Sequence, residues 1–126
     1  MKDLKQKIQA AVNLYKSGNL VKCQEITKKL MKLNPNVVFL YNLMGLVLTA
    51  LKKIDEAEEL YQKAYNNDPG DMISLYYLTE FKKDILDINL NKKITKIINN
   101  KKETKKNIAY GNFILSKYEQ NNKNFK

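Results

Sequence analysis

Fifteen consecutive positions, residues 37–51 (VVFLYNLMGLVLTAL), carry no charge in a chain whose composition is 29% charged, and this run limits what the rest can fold into. It is shorter than the roughly 20 apolar residues that a helix needs to cross a bilayer, and Asn42 and Thr49 interrupt it. A helix that is apolar all round is instead one buried on several sides. Pro35 stands just before the run, Gly45 at its middle, and Lys52 and Lys53 at its C-terminal end, where cationic charge complements the helix dipole. A glycine inside a helix costs up to about 1 kcal/mol relative to alanine and often marks the close approach of another backbone. The run therefore predicts a central helix in an array of helices, with Gly45 at the closest crossing.

Composition narrows the chemistry. A chain of 126 residues suffices for one domain. It has no histidine and a single cysteine, so it offers neither an internal disulfide, nor a His-based catalytic arrangement, nor a metal-ligand cluster, and no cofactor or metal site is expected. The opening MKDLKQKIQAAV lacks the uninterrupted apolar segment of a secretory signal, which points to the cytoplasm. All 23 basic residues are lysines. Together with abundant Asn and Ile, this fits an AT-rich coding sequence better than selection for bidentate phosphate or base contacts, for which arginine is favoured. The charge is uneven: residues 1–50 and 91–126 are basic, whereas residues 51–90 hold nine acids against five lysines.

Helical spacing predicts a first helix over residues 4–15 on Leu4, Ile8, Ala11, Val12, Leu14 and Tyr15, ended by Gly18. A second, over residues 20–33, is stopped by Asn34-Pro35-Asn36, because proline disfavours helix in the residue before it. After the central helix, Asp55 with Glu58 three residues on reads as an N-cap opening a helix on Ala57, Leu60, Tyr61, Ala64 and Tyr65, which ends at Asn67-Asp68-Pro69-Gly70.

Pro35 and Pro69 lie 34 residues apart, each closing a helix–turn–helix unit, and that is the period of the tetratricopeptide repeat. Tyr41, Met44, Gly45 and Leu48 stand where the repeat pattern has Trp-x2-Leu-Gly-x2-Tyr, and Ala57, Tyr61, Ala64 and Pro69 match its second half. The unit resembles a tetratricopeptide repeat. Shifted back by one period, the first unit resembles it more loosely, with Ala11 at the small-residue crossing, Cys23 as a small packing residue and Gly18 at the turn position that Lys52 fills in the second. The resemblance implies an all-α fold, an α-solenoid of antiparallel helix pairs in a right-handed array. It spans one domain over 1–126, with repeats at about 4–37 and 38–71, a degenerate one at 72–100 and a partial one at 104–126.

In the third unit Asp71 caps a helix to about residue 83, and residues 84–89 read as a connection longer than the repeat allows. Leu90, Ile94, Ile97 and Ile98 then give a helix without the alanine and proline signals. A last helix is expected over residues 107–120 on Ile108, Gly111, Ile114, Leu115 and Tyr118, followed by a turn at 121–124 and the start of another helix at Phe125-Lys126. Two readings of this end stand side by side: an atypical terminal cap, or a piece of a longer chain. The stretch YYLTEFKK and the irregular unit after it resemble the repeats that precede a C-terminal sulfotransferase domain in some bacterial proteins. That resemblance covers about the last fifty residues and no catalytic motif.

No residue constellation supports catalysis; Asp55, Glu56, Glu58 and Glu59 read as a solvated helix start. Three functions follow from these readings. The first is a protein-binding scaffold, the second the non-catalytic arm of a sulfotransferase-like enzyme whose further domain belongs to the same chain. The third is a weak binder of nucleic acid or an anionic surface through Lys92, Lys93, Lys96, Lys101, Lys102, Lys105 and Lys106, without a specific nucleic acid or a membrane span. Resemblance to tetratricopeptide arrays implies a concave groove lined by Ile8, Val12 and Tyr15, then Phe39, Asn42, Leu43 and Leu46, then Ile73, Tyr76, Tyr77 and Glu80, receiving a protein or peptide segment. Family members that grip a C-terminal carboxylate place lysine, asparagine and arginine at such sites. Ile8, Val12, Leu43, Ile73 and Tyr77 stand there instead. So apolar a surface is expected to be covered, by a partner or by the chain's own last helix.

Overall fold

The computed structural model describes residues 3–124, with the side chains of 83 and 121–124 excepted, and every regular element among the described residues is a helix. Contacts divide the chain into two compact units, Met1–Asn67 and Asp68–Lys126. The first holds α1 (Leu4–Lys16), α2 (Leu20–Leu33), α3 (Val38–Ala50) and α4 (Ile54–Asn67). The second holds α5 (Met72–Thr79), a 3-10 turn (Lys83–Ile85), α6 (Ile88–Ile98) and α7 (Lys105–Asn124).

The 34-residue period is written into the helix starts. Leu4, Val38 and Met72 open one series, and Leu20, Ile54 and Ile88 the other. The reversals repeat as well. In the first, the Gly18 amide donates to Tyr15 O and the Asn19 amide to Leu14 O, at 3.1 and 2.9 Å. In the second, the Lys52 amide donates to Thr49 O and the Lys53 amide to Leu48 O, at 3.0 and 2.8 Å. Both are paired hydrogen bonds that close a helix through one left-handed residue. Gly18 has φ 81° and Lys52 φ 66°, so the lysine adopts the conformation that glycine takes one period earlier.

This reversal corrects one expectation. Because Lys52 turns the chain so tightly, α4 begins at Ile54, and the Ala57 amide already donates to Lys53 O. Asp55 therefore stands in the first turn rather than at the N-cap, beside Glu56, where both carboxylates still favour the helix N-terminus. Carboxylates do cap α1, α5 and α6: Asp3 accepts from the Gln6 amide at 2.8 Å while the Asp3 amide donates to Gln6 Oε1, and Asp71 and Asp87 accept from the amides of Ile73 and Leu90.

In unit 1, α3 is buried on most sides: Leu40, Asn42, Leu43, Met44, Gly45, Val47 and Leu48 are all buried. Ala11, Leu30, Leu40 and Leu43 form a core against which Leu4, Ile8, Val12, Tyr15, Ile26, Met31 and Val37 pack. Cys23 is fully buried, and its thiol donates to Ala11 O at 3.2 Å, a packing role. Gly45 lies where α3 meets α4. A Cβ there would fall 2.7 Å from Tyr61 Cζ and 2.9 Å from Tyr61 Cδ1, so the Tyr61 ring occupies the space that any side chain would need.

Unit 2 departs from expectation in three places. The segment between α5 and α6 does not break the period, since α6 starts on register at Ile88; α5 simply stops early. The Thr79 hydroxyl donates to Tyr76 O at 2.6 Å, and the Glu80 amide turns to Tyr77 O, so the helical ladder fails at its fourth-residue step. Helix α7 begins at Lys105, two residues before the expected start, because the Thr104 hydroxyl accepts from the Asn107 amide at 3.1 Å. Residues 121–124 continue α7 rather than turning, and Phe125-Lys126 lie outside the described residues.

Replacing Gly45 with leucine forces the Tyr61 ring aside and should cost about 1–3 kcal/mol, read as a lower Tm. An unchanged Tm would contradict the crossing. A second test concerns alkaline pH. Burial raises the Tyr61 phenol from 10.0 to about 12, with its hydrogen bond with Thr49 acting the other way. The folded state thus holds this proton more tightly than the unfolded one. Its contribution is complete below pH 10.0 and is lost as pH rises through about 12, about 1 kcal/mol having gone near pH ~11. Denaturant midpoints measured on either side of this window should fall less in Tyr61→Phe than in the parent chain.

Candidate partner-binding site

On α5 the positions three and four apart, Ile73, Tyr76, Tyr77 and Glu80, share one side of the helix. Helix α7 packs along α5, and its Tyr110, Phe113 and Lys117 repeat the same spacing. The two rows meet. The Tyr76 ring centroid is 5.3 Å from that of Tyr110 and 6.0 Å from that of Phe113, and Tyr77 is 6.3 Å from Tyr110. Tyr110 and Phe113 lie 5.7 Å apart at 78°. Such edge-to-face pairs are favourable beyond their buried area. At one end of the cluster the Lys117 ammonium sits 4.1 Å above the Tyr76 ring and donates to Glu80 Oε1 at 2.5 Å and Thr79 Oγ1 at 3.1 Å.

At the other end an open cleft of about 310 Å³ is lined by Ile73, Lys106 and Asn107 with Asp68, Gly70, Asp71, Glu103 and Thr104. Asn107, nearly buried, fixes this end: its Oδ1 accepts from the Met72 amide at 2.7 Å and its Nδ2 donates to Gly70 O at 2.9 Å. Asp71 completes the start of α5 by accepting from the Ile73 amide and the Ser74 hydroxyl. The cleft carboxylates Asp68 and Glu103 accept from the amides of Gly70 and Thr104. Among the described residues no group of three or more ligating side chains could hold a metal ion. No described helix is long and apolar enough to cross a membrane.

The groove residues expected from the sequence are placed unequally. In unit 2, Tyr76, Tyr77 and Glu80 come together around the aromatic cluster, and Ile73 borders the cleft. In unit 1, Ile8, Val12 and Tyr15 are half-buried and pack on the core; Leu43 belongs to that core at 4% exposure, Asn42 is buried, and Leu46 is half-buried. Phe39 is 46% exposed. Sequence reasoning missed Asn107, Tyr110, Phe113 and Lys117. Of the residues it named on the last helix, Ile114 is buried, but the ring contacts to α5 come from Tyr110 and Phe113. A signal was present. One period apart, Ala11, Gly45 and Thr79 are buried, and the next position is Phe113, 53% exposed, a large ring where the repeat has a small residue.

No protein-family model matches the chain, and no curated protein matches it. Among solved structures it is similar to the type III secretion translocator chaperone SycD of Yersinia enterocolitica, at 19% identity and TM-score 0.67, covering 95% of this chain and 86% of that one. The likeness establishes a helical-repeat fold of tetratricopeptide type; it lends nothing to a sulfotransferase connection.

Exchanging Asn107 for alanine removes both bonds and strands the buried Met72 amide, a loss of about 1–3 kcal/mol. Thermal denaturation of Asn107→Ala should show it; a Tm equal to the parent's would mean that Asn107 does not hold α7 to the start of α5.

Proposed function

We propose that this chain is a protein-binding helical-repeat module, and that its second unit receives a partner segment along the α5–α7 face. The observation that carries this is Phe113, 53% exposed at the edge of a ring cluster with Tyr76 and Tyr110, beside a cleft that Ile73 borders. Rings of this kind give large contact area with few rotatable bonds, which is why tyrosine and other aromatics dominate binding energies at protein interfaces. The fold supports the reading: one similar solved structure is a chaperone, and a chaperone's ligand is another protein. Phe39, with half-buried Leu46 and Tyr15, is the corresponding partner-facing set of unit 1, while Asn42, Leu43, Ile8 and Val12 act mainly by supporting α3 and its core.

Recognition is through side chains rather than a terminal carboxylate, because the positions that would form a carboxylate clamp carry Ile8, Val12, Leu43, Ile73 and Tyr77. The test is selection of binders from a displayed random peptide library with the full chain. Enriched peptides should carry aromatic or aliphatic anchors and lose about tenfold or more in affinity on Phe113→Asp and Tyr76→Ala, both variants keeping the parent's helical circular dichroism. Binding that requires a free C-terminus, or that ignores both substitutions, would refute the proposal.

A further inference from the structure

Residues 92–106 hold seven lysines and one acid, Glu103. The fold gathers them. Lys92, Lys93 and Lys96 lie on α6, Lys101 and Lys102 in the turn that follows, and Lys105 and Lys106 at the start of α7, and every one of the seven is exposed. The turn is held in shape: the Lys102 amide donates to Asn100 Oδ1 and the Glu103 amide to Asn100 O, both at 3.0 Å. Asn107 then ties the start of α7 back to Gly70 and Met72. Glu103 is half-buried, its carboxylate accepting from the Thr104 amide. The result is a fixed basic ridge rather than a loose tail. Four of its lysines crowd the start of a helix that has no acid in its first turn, where cationic charge opposes the helix dipole and works against folding. A lysine-rich coding bias supplies lysines; it does not choose that place for them.

From this we propose that the ridge formed by α6, its following turn and the start of α7 docks onto the phosphate backbone of a nucleic acid without reading its sequence. The partner follows from what accompanies the lysines. Among the described residues the large exposed apolar side chains are Val21, Leu33, Phe39, Ile54, Ile88 and Phe113; none falls between Lys92 and Lys106, and of these only Ile88, one turn before Lys92 on α6, adjoins the ridge. A single exposed isoleucine is too little to insert into a bilayer or to supply the aromatic and apolar anchors on which protein interfaces depend. A line of phosphates needs neither. Point-like ammonium groups neutralise it by releasing counterions, and without arginine there is no planar fork for bidentate contact with base edges.

The experiment is fluorescence anisotropy of the full chain against a labelled random-sequence DNA duplex, with a duplex of unrelated sequence and anionic phosphatidylserine vesicles as parallel probes. Expected are equal affinity for both duplexes and a fall of about a hundredfold between about 50 and 200 mM salt, as for some four neutralised phosphates. Charge reversal of Lys101, Lys102, Lys105 and Lys106 to glutamate should abolish binding at the lower salt. A matched control reverses Lys22, Lys28, Lys29 and Lys32, which are exposed on α2, and should retain most of the affinity. Equal losses in the two variants would show that net charge alone is responsible and would overturn the proposal. So would binding to vesicles but not to DNA, or a preference for one duplex sequence. Circular dichroism of both variants confirms folding, and since all eight positions are exposed, neither reversal removes a packed side chain.

Discussion

The crossing of α3 and α4 sets the terms for unit 1. Gly45 lets the Tyr61 ring lie against the α3 backbone, and that proximity brings Ala57, Tyr61 and Ala64 into buried positions along α4. At so short a distance there is no room for solvent, so α3 can be apolar on nearly every side without exposing much of itself. The arrangement also explains why Tyr61 is so poor an acid: the same ring that fills the crossing holds its hydroxyl out of water. Packing, helix composition and titration behaviour thus have a common cause in one missing Cβ.

Much of this was legible in the sequence, because the deciding signals are local. Pro35, Pro69 and Gly18 are punctuation that acts on its immediate neighbours, and the spacing of Ala11 to Gly45 carries the period. What escaped reading depended on groups whose competing partners are not apparent from spacing. Thr79 ends α5 by taking the carbonyl of Tyr76, and Thr104 starts α7 by taking the amide of Asn107; either threonine could as readily have faced solvent. Asp55 looked like a cap because a carboxylate three residues before a glutamate usually is one, yet Lys52 had already turned the chain. The aromatic face of unit 2 was half legible. Tyr76, Tyr77 and Glu80 follow from the period, whereas Tyr110, Phe113 and Lys117 lie where the repeat pattern has decayed and only contact identifies them.

The same unit carries two surfaces of different physical character. Along α5 and α7, rings stack edge to face with a single ammonium held over one of them, a surface whose interactions are short-ranged and little affected by ionic strength. Around the turn between α6 and α7 the charges, half-buried Glu103 aside, are exposed, of one sign, and felt over roughly the screening length of the solvent. Asn107 serves both, since it fixes the start of α7 from which Lys106, Tyr110 and Phe113 all project.

The lysine at the second reversal has a consequence for how the chain tolerates change. Gly18 and Lys52 hold the same left-handed backbone one period apart, but only one of them is a residue that adopts it at little cost. Tolerance at the two positions is therefore inverted. At Gly18 nearly every replacement introduces strain, although an added Cβ would meet no atom beyond its chain neighbours within 4 Å. At Lys52 the strain is already present, most replacements exchange one strained residue for another, and glycine, among the most damaging substitutions inside a helix, becomes the relieving one. A complete substitution scan of the chain would find at residue 52 a site where the usual ranking of amino acids runs backwards.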